Sequence, residues 1–182
     1  MAAISLRNVF SASVIAGGLL AMFSVPASAT FMIDANPGGE KMYNDVANKD
    51  VSTFSGYVGC NNSSCPLITI NTTDNVDTGS GYSNIKPTKK DTPLTVLTFL
   101  PADTQTWGDF SFRGQLEDLA GGTVKLEVTD FGGTTQTFFF NGLGTAPDFG
   151  RIGIVSTDGD TIAKVVLTSN FQEEVTAQVP RG

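Results

Sequence analysis

The side chains that run most enzyme chemistry are missing from this chain or scattered along it. It contains no histidine, so neither a Ser-His-Asp nor a Cys-His arrangement can form, nor an H-E-x-x-H zinc motif. No Gly-rich phosphate loop or dinucleotide fingerprint occurs. A glycosidase needs only two carboxylates at a set separation, and 18 Asp and Glu residues offer many pairs. The adjacent Glu117 and Asp118, however, precede Leu119-Ala120-Gly121-Gly122 and read as turn chemistry. The expectation is a non-enzymatic protein, with a carbohydrate-active enzyme as the remote alternative.

Oxygen donors are the more specific signal. Asp74, Asn75, Asp77 and Ser80 fall close together, with Gly79 and Gly81 allowing sharp bends. Ca²⁺ takes six to eight oxygens from carboxylates, amides and carbonyls, which makes these four a candidate structural Ca²⁺ site. Asp34 with Asn36, or Asp158 with Asp160, would supply a second cluster. None matches an EF-hand loop, and plain turns use the same residue types.

Sugar rings stack their apolar faces on aromatic side chains, and Trp107, Tyr82 and Tyr57 are the aromatics expected near loops. They are the candidate ligand residues. Trp107, between Thr106 and Gly108, has two readings: first a cap on the core, second an exposed platform. The 13 phenylalanines read mostly as core. In Phe138-Phe139-Phe140 one ring must face away from its two neighbours if the segment is a strand.

Two cysteines, Cys60 and Cys65, enclose Asn61-Asn62-Ser63-Ser64. In an oxidising compartment this spacing reads as a disulfide closing a tight loop. Zinc would need about four Cys or His ligands. The sequons at Asn61, Asn62 and Asn71 matter only in a host that glycosylates. The formal net charge of −7 repels phosphate backbones and anionic lipid, which argues against nucleic-acid partners. Lys86, Lys89 and Lys90 flank Pro87 and are expected to form a solvated turn.

The elements that must position these residues read almost throughout with a period of two. Between Asp109 and Leu116, Phe110, Phe112, Gly114 and Leu116 share one face. Between Thr123 and Asp130, Val124, Leu126 and Val128 oppose Thr123, Lys125, Glu127 and Thr129. Such alternation puts apolar side chains on one face of a sheet and polar ones in water. Further strands are expected at Thr30–Asp34, Val51–Val58, Leu67–Thr72, Leu94–Leu100, Thr135–Asn141, Arg151–Val155, Thr161–Thr168 and Asn170–Val179. Asp158-Gly159 and Phe131-Gly132-Gly133 read as hairpin turns. Glu40–Asn48 is the one candidate helical turn. Asp34–Asp50 and Asp74–Asp91 read as the longest loops, where function tends to sit. Eight to ten short strands predict an all-β, antiparallel β-sandwich of jelly-roll type.

The N-terminus reads as an export signal. Arg7 is the only charge before Asp34, Val9 to Phe23 is mostly apolar, and Ala27-Ser28-Ala29 makes an A-x-A cleavage site. The apolar run is shorter than the ~20 residues a membrane helix needs and carries Ser11, Ser13, Gly17 and Gly18. Cleavage after Ala29 leaves a single domain from Thr30 to Gly182, with no membrane span expected in it. The domain is secreted, extracellular or periplasmic on this reading.

Five stretches in a fixed order resemble a group of exported bacterial proteins associated with the PEP-CTERM sorting signal. They are Asn75-Val76-Asp77-Thr78-Gly79-Ser80-Gly81-Tyr82-Ser83-Asn84-Ile85-Lys86-Pro87, Leu97-Thr98-Phe99-Leu100-Pro101-Ala102-Asp103, Asp109-Phe110-Ser111-Phe112-Arg113-Gly114-Gln115, Asp148-Phe149-Gly150-Arg151-Ile152-Gly153-Ile154 and Asp158-Gly159-Asp160-Thr161-Ile162. The resemblance implies export, a β-sandwich and life among surface-growing or exopolysaccharide-producing bacteria. A sorting tail carries a Pro-Glu-Pro motif, an apolar helix and a basic tip, and Val179-Pro180-Arg181-Gly182 does not match it. Free release or periplasmic residence is therefore expected. The leading functional expectation is an extracellular binding or matrix module that engages polysaccharide. The alternative is a structural surface component with no small ligand.

Overall fold

The computed structural model describes residues 31–34, 39–89, 94–102, 107–113, 122–143, 152–157, 159, 161–171 and 176–179. The expected export segment, Asn36, Lys90, Glu117, Asp118, Asp158 and Asp160 lie outside them. The described residues form strands β1 (Phe31–Asp34), β2 (Glu40–Asn44), β3 (Asn48–Val58), β4 (Leu67–Thr78), β5 (Gly81–Tyr82), β6 (Ile85–Pro87) and β7 (Leu94–Pro101). These are followed by β8 (Asp109–Arg113), β9 (Gly122–Asp130), β10 (Thr135–Leu143), β11 (Ile152–Ser156), β12 (Ile162–Phe171) and β13 (Thr176–Val179). That makes 13 strands where eight to ten were expected, because the two supposed long loops hold short strands of their own.

The strands form two antiparallel sheets packed face to face, an all-β sandwich. The smaller runs β1-β11-β8-β13 and the larger β2-β3-β4-β7-β12-β9-β10. The β13–β2 pairing joins them, while β5 adds to β2 and β6 to β4.

The alternation in the sequence sets which side chains meet between the sheets. Val124, Leu126 and Val128 of β9 are buried, as are Ile68, Ile70 and Val76 of β4 and Val165 and Leu167 of β12. Phe110 and Phe112 of the smaller sheet reach across to them, and the Phe99 and Phe110 rings lie 5.0 Å apart at 56°. Each such side chain contributes roughly 1.5–3 kcal/mol when fully buried. In β10, Phe138 and Phe140 pack against this core while Phe139 points out.

Three local expectations are corrected. Glu40–Asn48 is not a helical turn. Its first half is β2, held between β3 on one edge and β13 and β5 on the other, and Met42 and Asn44 alternate inward past Tyr43. Tertiary pairing overrides local preference here. Asp74–Asp91 is not a loop from its start, because β4 continues to Thr78 and buries Val76, and β6 follows with Ile85 buried and Lys86 opposite Asp77.

Asp158-Gly159 does not turn a hairpin. Both edges of β11 are taken by β1 and β8, and both edges of β12 by β7 and β9, so these two strands do not pair with each other. Trp107 and Gly108 tie the two ends of their connection, through Ile162 N–H to Trp107 C=O at 2.8 Å and Ser156 N–H to Gly108 C=O at 2.7 Å. The hairpin at Phe131-Gly132-Gly133 does form, joining β9 to β10 with Gly133 at φ +86°.

Candidate functional site

Tyr43 and Tyr57 share one row on the outer face of the larger sheet, and the backbone register sets Tyr82 in line with them. The antiparallel register sets Tyr82 of β5 opposite Tyr43 of β2, Tyr43 opposite Tyr57 of β3, and Tyr57 opposite Leu67 of β4. Residues directly opposed across antiparallel strands share a face, and neighbouring strands lie about 4.8 Å apart. The three tyrosine positions therefore span roughly 10 Å across the strands. Their neighbours Met42, Asn44, Val58 and Ile68 are buried, so Tyr43, Tyr57 and Leu67 face outward. Tyr43 and Tyr57 are half-buried and Leu67 is exposed.

Two local devices hold the row. Gly56 makes the close approach of β2 to β3 possible, since a Cβ there would stand 2.5 Å from the Tyr43 carbonyl oxygen. The Asn44 side-chain amide donates to the Gly79 carbonyl at 2.8 Å, and Ser83 N–H donates to the Met42 carbonyl at 2.9 Å. Together these bonds bind the chain around β5 to β2.

The disulfide expected between Cys60 and Cys65 is present, with Cα atoms 5.8 Å apart. It closes the β3–β4 connection beyond Tyr57 and Leu67, where Val58 N–H also bonds the Pro66 carbonyl at 2.9 Å.

The face continues without charge from the row toward β7. Ser55, Thr69 and Leu100 are aligned by register, as are Thr53, Asn71, Thr98 and Val166. The Thr53 hydroxyl bonds Asn71 Oδ1 at 2.9 Å. Charge flanks this field, at Lys41 of β2, Asp77 of β4 and, on β9, Lys125 and Glu127, which pair at 2.8 Å.

The proposed oxygen cluster is reorganised by two irregularities in the β3–β4 ladder, between Asn48 and Val51 and between Val51 and Thr53. At the first, Asp50 takes φ 56°, in the left-handed region that costs a non-glycine residue energy. Asp50 N–H bonds Asp77 Oδ1 at 3.0 Å, and the Asn75 amide donates to Asp50 Oδ1 at 2.9 Å. The Thr88 hydroxyl gives Asp77 Oδ1 a second bond at 2.9 Å. Asp74 Oδ2 accepts from the Thr95 hydroxyl at 2.8 Å and the Thr73 hydroxyl at 3.1 Å.

Hydrogen bonds to the charged form lower a carboxyl pKa. Asp74 is held below the usual value chiefly by the Thr95 hydroxyl, and Asp77 chiefly by the Asp50 N–H, then by Thr88. A cleft of about 210 Å³ is lined by Asp50, Thr73, Asp74, Asn75, Thr88 and Lys89. The structure thus brings Asp74 and Asn75 together and adds Asp50. Ser80 sits apart, in the exposed bend after β4. Among the described residues, no three Asp, Glu, Cys or His side chains are grouped as a metal site.

Trp107 follows the core reading and not the platform one. It is 2% exposed and caps the interior beside Ile162. Tyr57 does fall on an outer surface, Tyr82 is in backbone register with that row, and Tyr43 is the member that sequence reasoning missed. Its signal was the alternation of Lys41 and Tyr43 against Met42 and Asn44, which a helical reading of that segment hides.

No family model, curated protein or solved structure matches the chain. Among the described residues no helix is long and apolar enough to cross a membrane.

Proposed function

We propose that this is a secreted, non-catalytic β-sandwich module that binds a neutral polysaccharide on the outer face of its larger sheet. The observation that carries this reading is the pair Tyr43 and Tyr57, with Tyr82 in backbone register beside them, ending at Leu67 and continued by an uncharged field of Ser, Thr and Asn side chains. Aromatic rings offer sugar faces an apolar contact at small entropic cost, and phenol and hydroxyl groups satisfy the sugar's own hydroxyls. The protein's net charge of −7 disfavours polyanionic glycans, while the uncharged field beside the tyrosines presents no such barrier to a neutral one. The disulfide, the A-x-A export signal and the resemblance to exported proteins of exopolysaccharide-producing bacteria support work outside the cytoplasm.

Co-sedimentation of the mature protein with a panel of insoluble neutral and acidic polysaccharides tests the proposal. Binding to at least one neutral polymer is expected, without release of reducing sugar. Tyr43→Ala or Tyr57→Ala should each weaken it about ten-fold, equivalent to about 1.4 kcal/mol. Equal binding by wild type and by both variants would remove the row from the account.

A further inference from the structure

We infer that the ligand of the tyrosine row is an extended, β-1,4-linked chain of neutral sugars, lying across the strands with one sugar over each of β2, β3 and β4. The inference rests on the polysaccharide-binding reading above and adds which polymer the row takes and how it lies.

Direction comes from the side chains beside the row. Outward positions on a strand repeat every second residue, about 7 Å apart. Along β3 the outward step from Tyr57 reaches Ser55, and along β4 the step from Leu67 reaches Thr69. Along β2 the step from Tyr43 reaches the exposed Asp45, just past the end of the strand. An apolar platform that followed any one of these strands would therefore end after a single side chain. Only across the strands does it persist, through Tyr43, Tyr57 and Leu67, which the register sets directly opposite one another.

Pitch selects the linkage. Neighbouring strands lie about 4.8 Å apart, close to the advance of one pyranose in a fully extended β-1,4-linked chain. Such a chain is flat, with ring faces on its two sides and hydroxyls along its two edges. Successive sugars stay over successive strands. An α-1,4- or β-1,3-linked chain of the same sugar curls into a helix, and its rings leave a straight row after one or two contacts.

A second line of side chains meets one edge of the chain. Asp45, Ser55 and Thr69 run alongside the apolar row, with Asp45 N–H bonding the Ser55 carbonyl at 3.2 Å and Ser55 opposite Thr69. Tyr43, Tyr57 and Leu67 take the ring faces, and the oxygens of this line pair with the hydroxyls beside them. The Asp45 carboxylate accepts from the hydroxyls of a neutral sugar and repels the anionic groups of an acidic one. A chain turned to run along the strands would lose the apolar and the polar match together.

Isothermal titration calorimetry of the mature protein with soluble oligosaccharides of increasing length is the test. Cello- (β-1,4), malto- (α-1,4) and laminari-oligosaccharides (β-1,3) of glucose isolate the linkage, and β-1,4-linked mannan, xylan and chitin fragments vary the sugar. At least one β-1,4 series should bind about ten-fold or more tighter than either other linkage. Its affinity should climb until each of the three platforms has a sugar and then level off. Leu67→Ala, at an exposed position, should remove the gain from the last of those sugars while the melting temperature holds steady. Tighter binding of a malto- or laminari-oligosaccharide, still weakened by Tyr43→Ala and Tyr57→Ala, would overturn this inference and leave the site itself standing. So would an affinity that levels off at a single sugar, or one indifferent to Leu67→Ala. Absence of binding in every series, or binding untouched by both tyrosine substitutions, would remove the site and this inference with it.

Discussion

Tyr43 on β2 and Tyr57 on β3 stand directly opposite one another on the outer face of the larger sheet, in strands separated in sequence by a tight connection. Their inward neighbours Met42 and Val58 are paired in the same register and buried. One ladder therefore fixes both the core contact and the surface row. What disturbs that ladder should be felt on both faces.

Gly56 is where the ladder is least tolerant. A methyl group there would meet the Tyr43 carbonyl at 2.5 Å, and that oxygen belongs to the backbone and cannot swing aside. Gly56→Ala is expected to destabilise the protein by roughly 1–3 kcal/mol through overpacking, read as a lower denaturant midpoint. Polysaccharide binding should fall further than stability alone explains, because Tyr43 and Tyr57 would be pushed apart.

Asn44 tests the positioning of β5. The residue is fully buried and its amide holds the Gly79 carbonyl. Asn44→Ala removes that bond from the exposed Gly79 carbonyl, at a cost of roughly 0.5–1.5 kcal/mol. The Tyr82 end of the row should loosen while the Tyr57 end stays in place. Hydrogen exchange should show faster exchange at Ser83 N–H, with little change at Val58.

The carboxylates of Asp74 and Asp77 give a pH dependence. Both are held below 3.8 by hydrogen bonds made to the ionised form. A carboxyl with a depressed folded pKa contributes stability that is present above its unfolded value and lost as pH falls through the folded one. Melting temperature should therefore drop below about pH 4. The drop should be shallower in Asp77→Asn, which keeps the oxygen that accepts from Asp50 N–H but no longer titrates. Should addition of Ca²⁺ raise the melting point and a chelator lower it, Asp50, Asp74 and Asn75 would be the donors to substitute first.

The disulfide closes the end of the β3–β4 hairpin that carries Tyr57 and Leu67. Its loop is short, so the chain-entropy contribution is only about 2 kcal/mol. The double variant Cys60→Ser with Cys65→Ser should fold, melt at a lower temperature, and show weakened glycan binding.

The class of fold was legible because most strands obey the period-two rule, as in Val124, Leu126 and Val128 against Lys125 and Glu127. What stayed hidden had local physical causes. β2 is short and polar, and it is a strand only because β3 and β13 flank it. Within the Asp- and Asn-rich continuation of β4, Val76 is a lone apolar anchor among residues that otherwise signal turns. The Asp158-Gly159 signal was read as a hairpin, but pairing partners on both neighbouring strands were already committed elsewhere. Trp107 had the composition of a ligand residue and the environment of a core one. Tyr57 and Tyr82 were singled out as separate aromatics, and only the register brings them into one row through Tyr43. That relation depends on strand pairing, which no single segment encodes.

Two-dimensional NMR of the mature, isotope-labelled protein titrated with a soluble oligosaccharide of a bound neutral polymer tests the central claim most directly. The account expects saturable shifts at Tyr43, Tyr57 and Leu67 and across Ser55 and Thr69, with Phe139 and the Asp50–Asp74 cleft undisturbed. Shifts confined to that cleft, or none with any oligosaccharide of the panel, would contradict it.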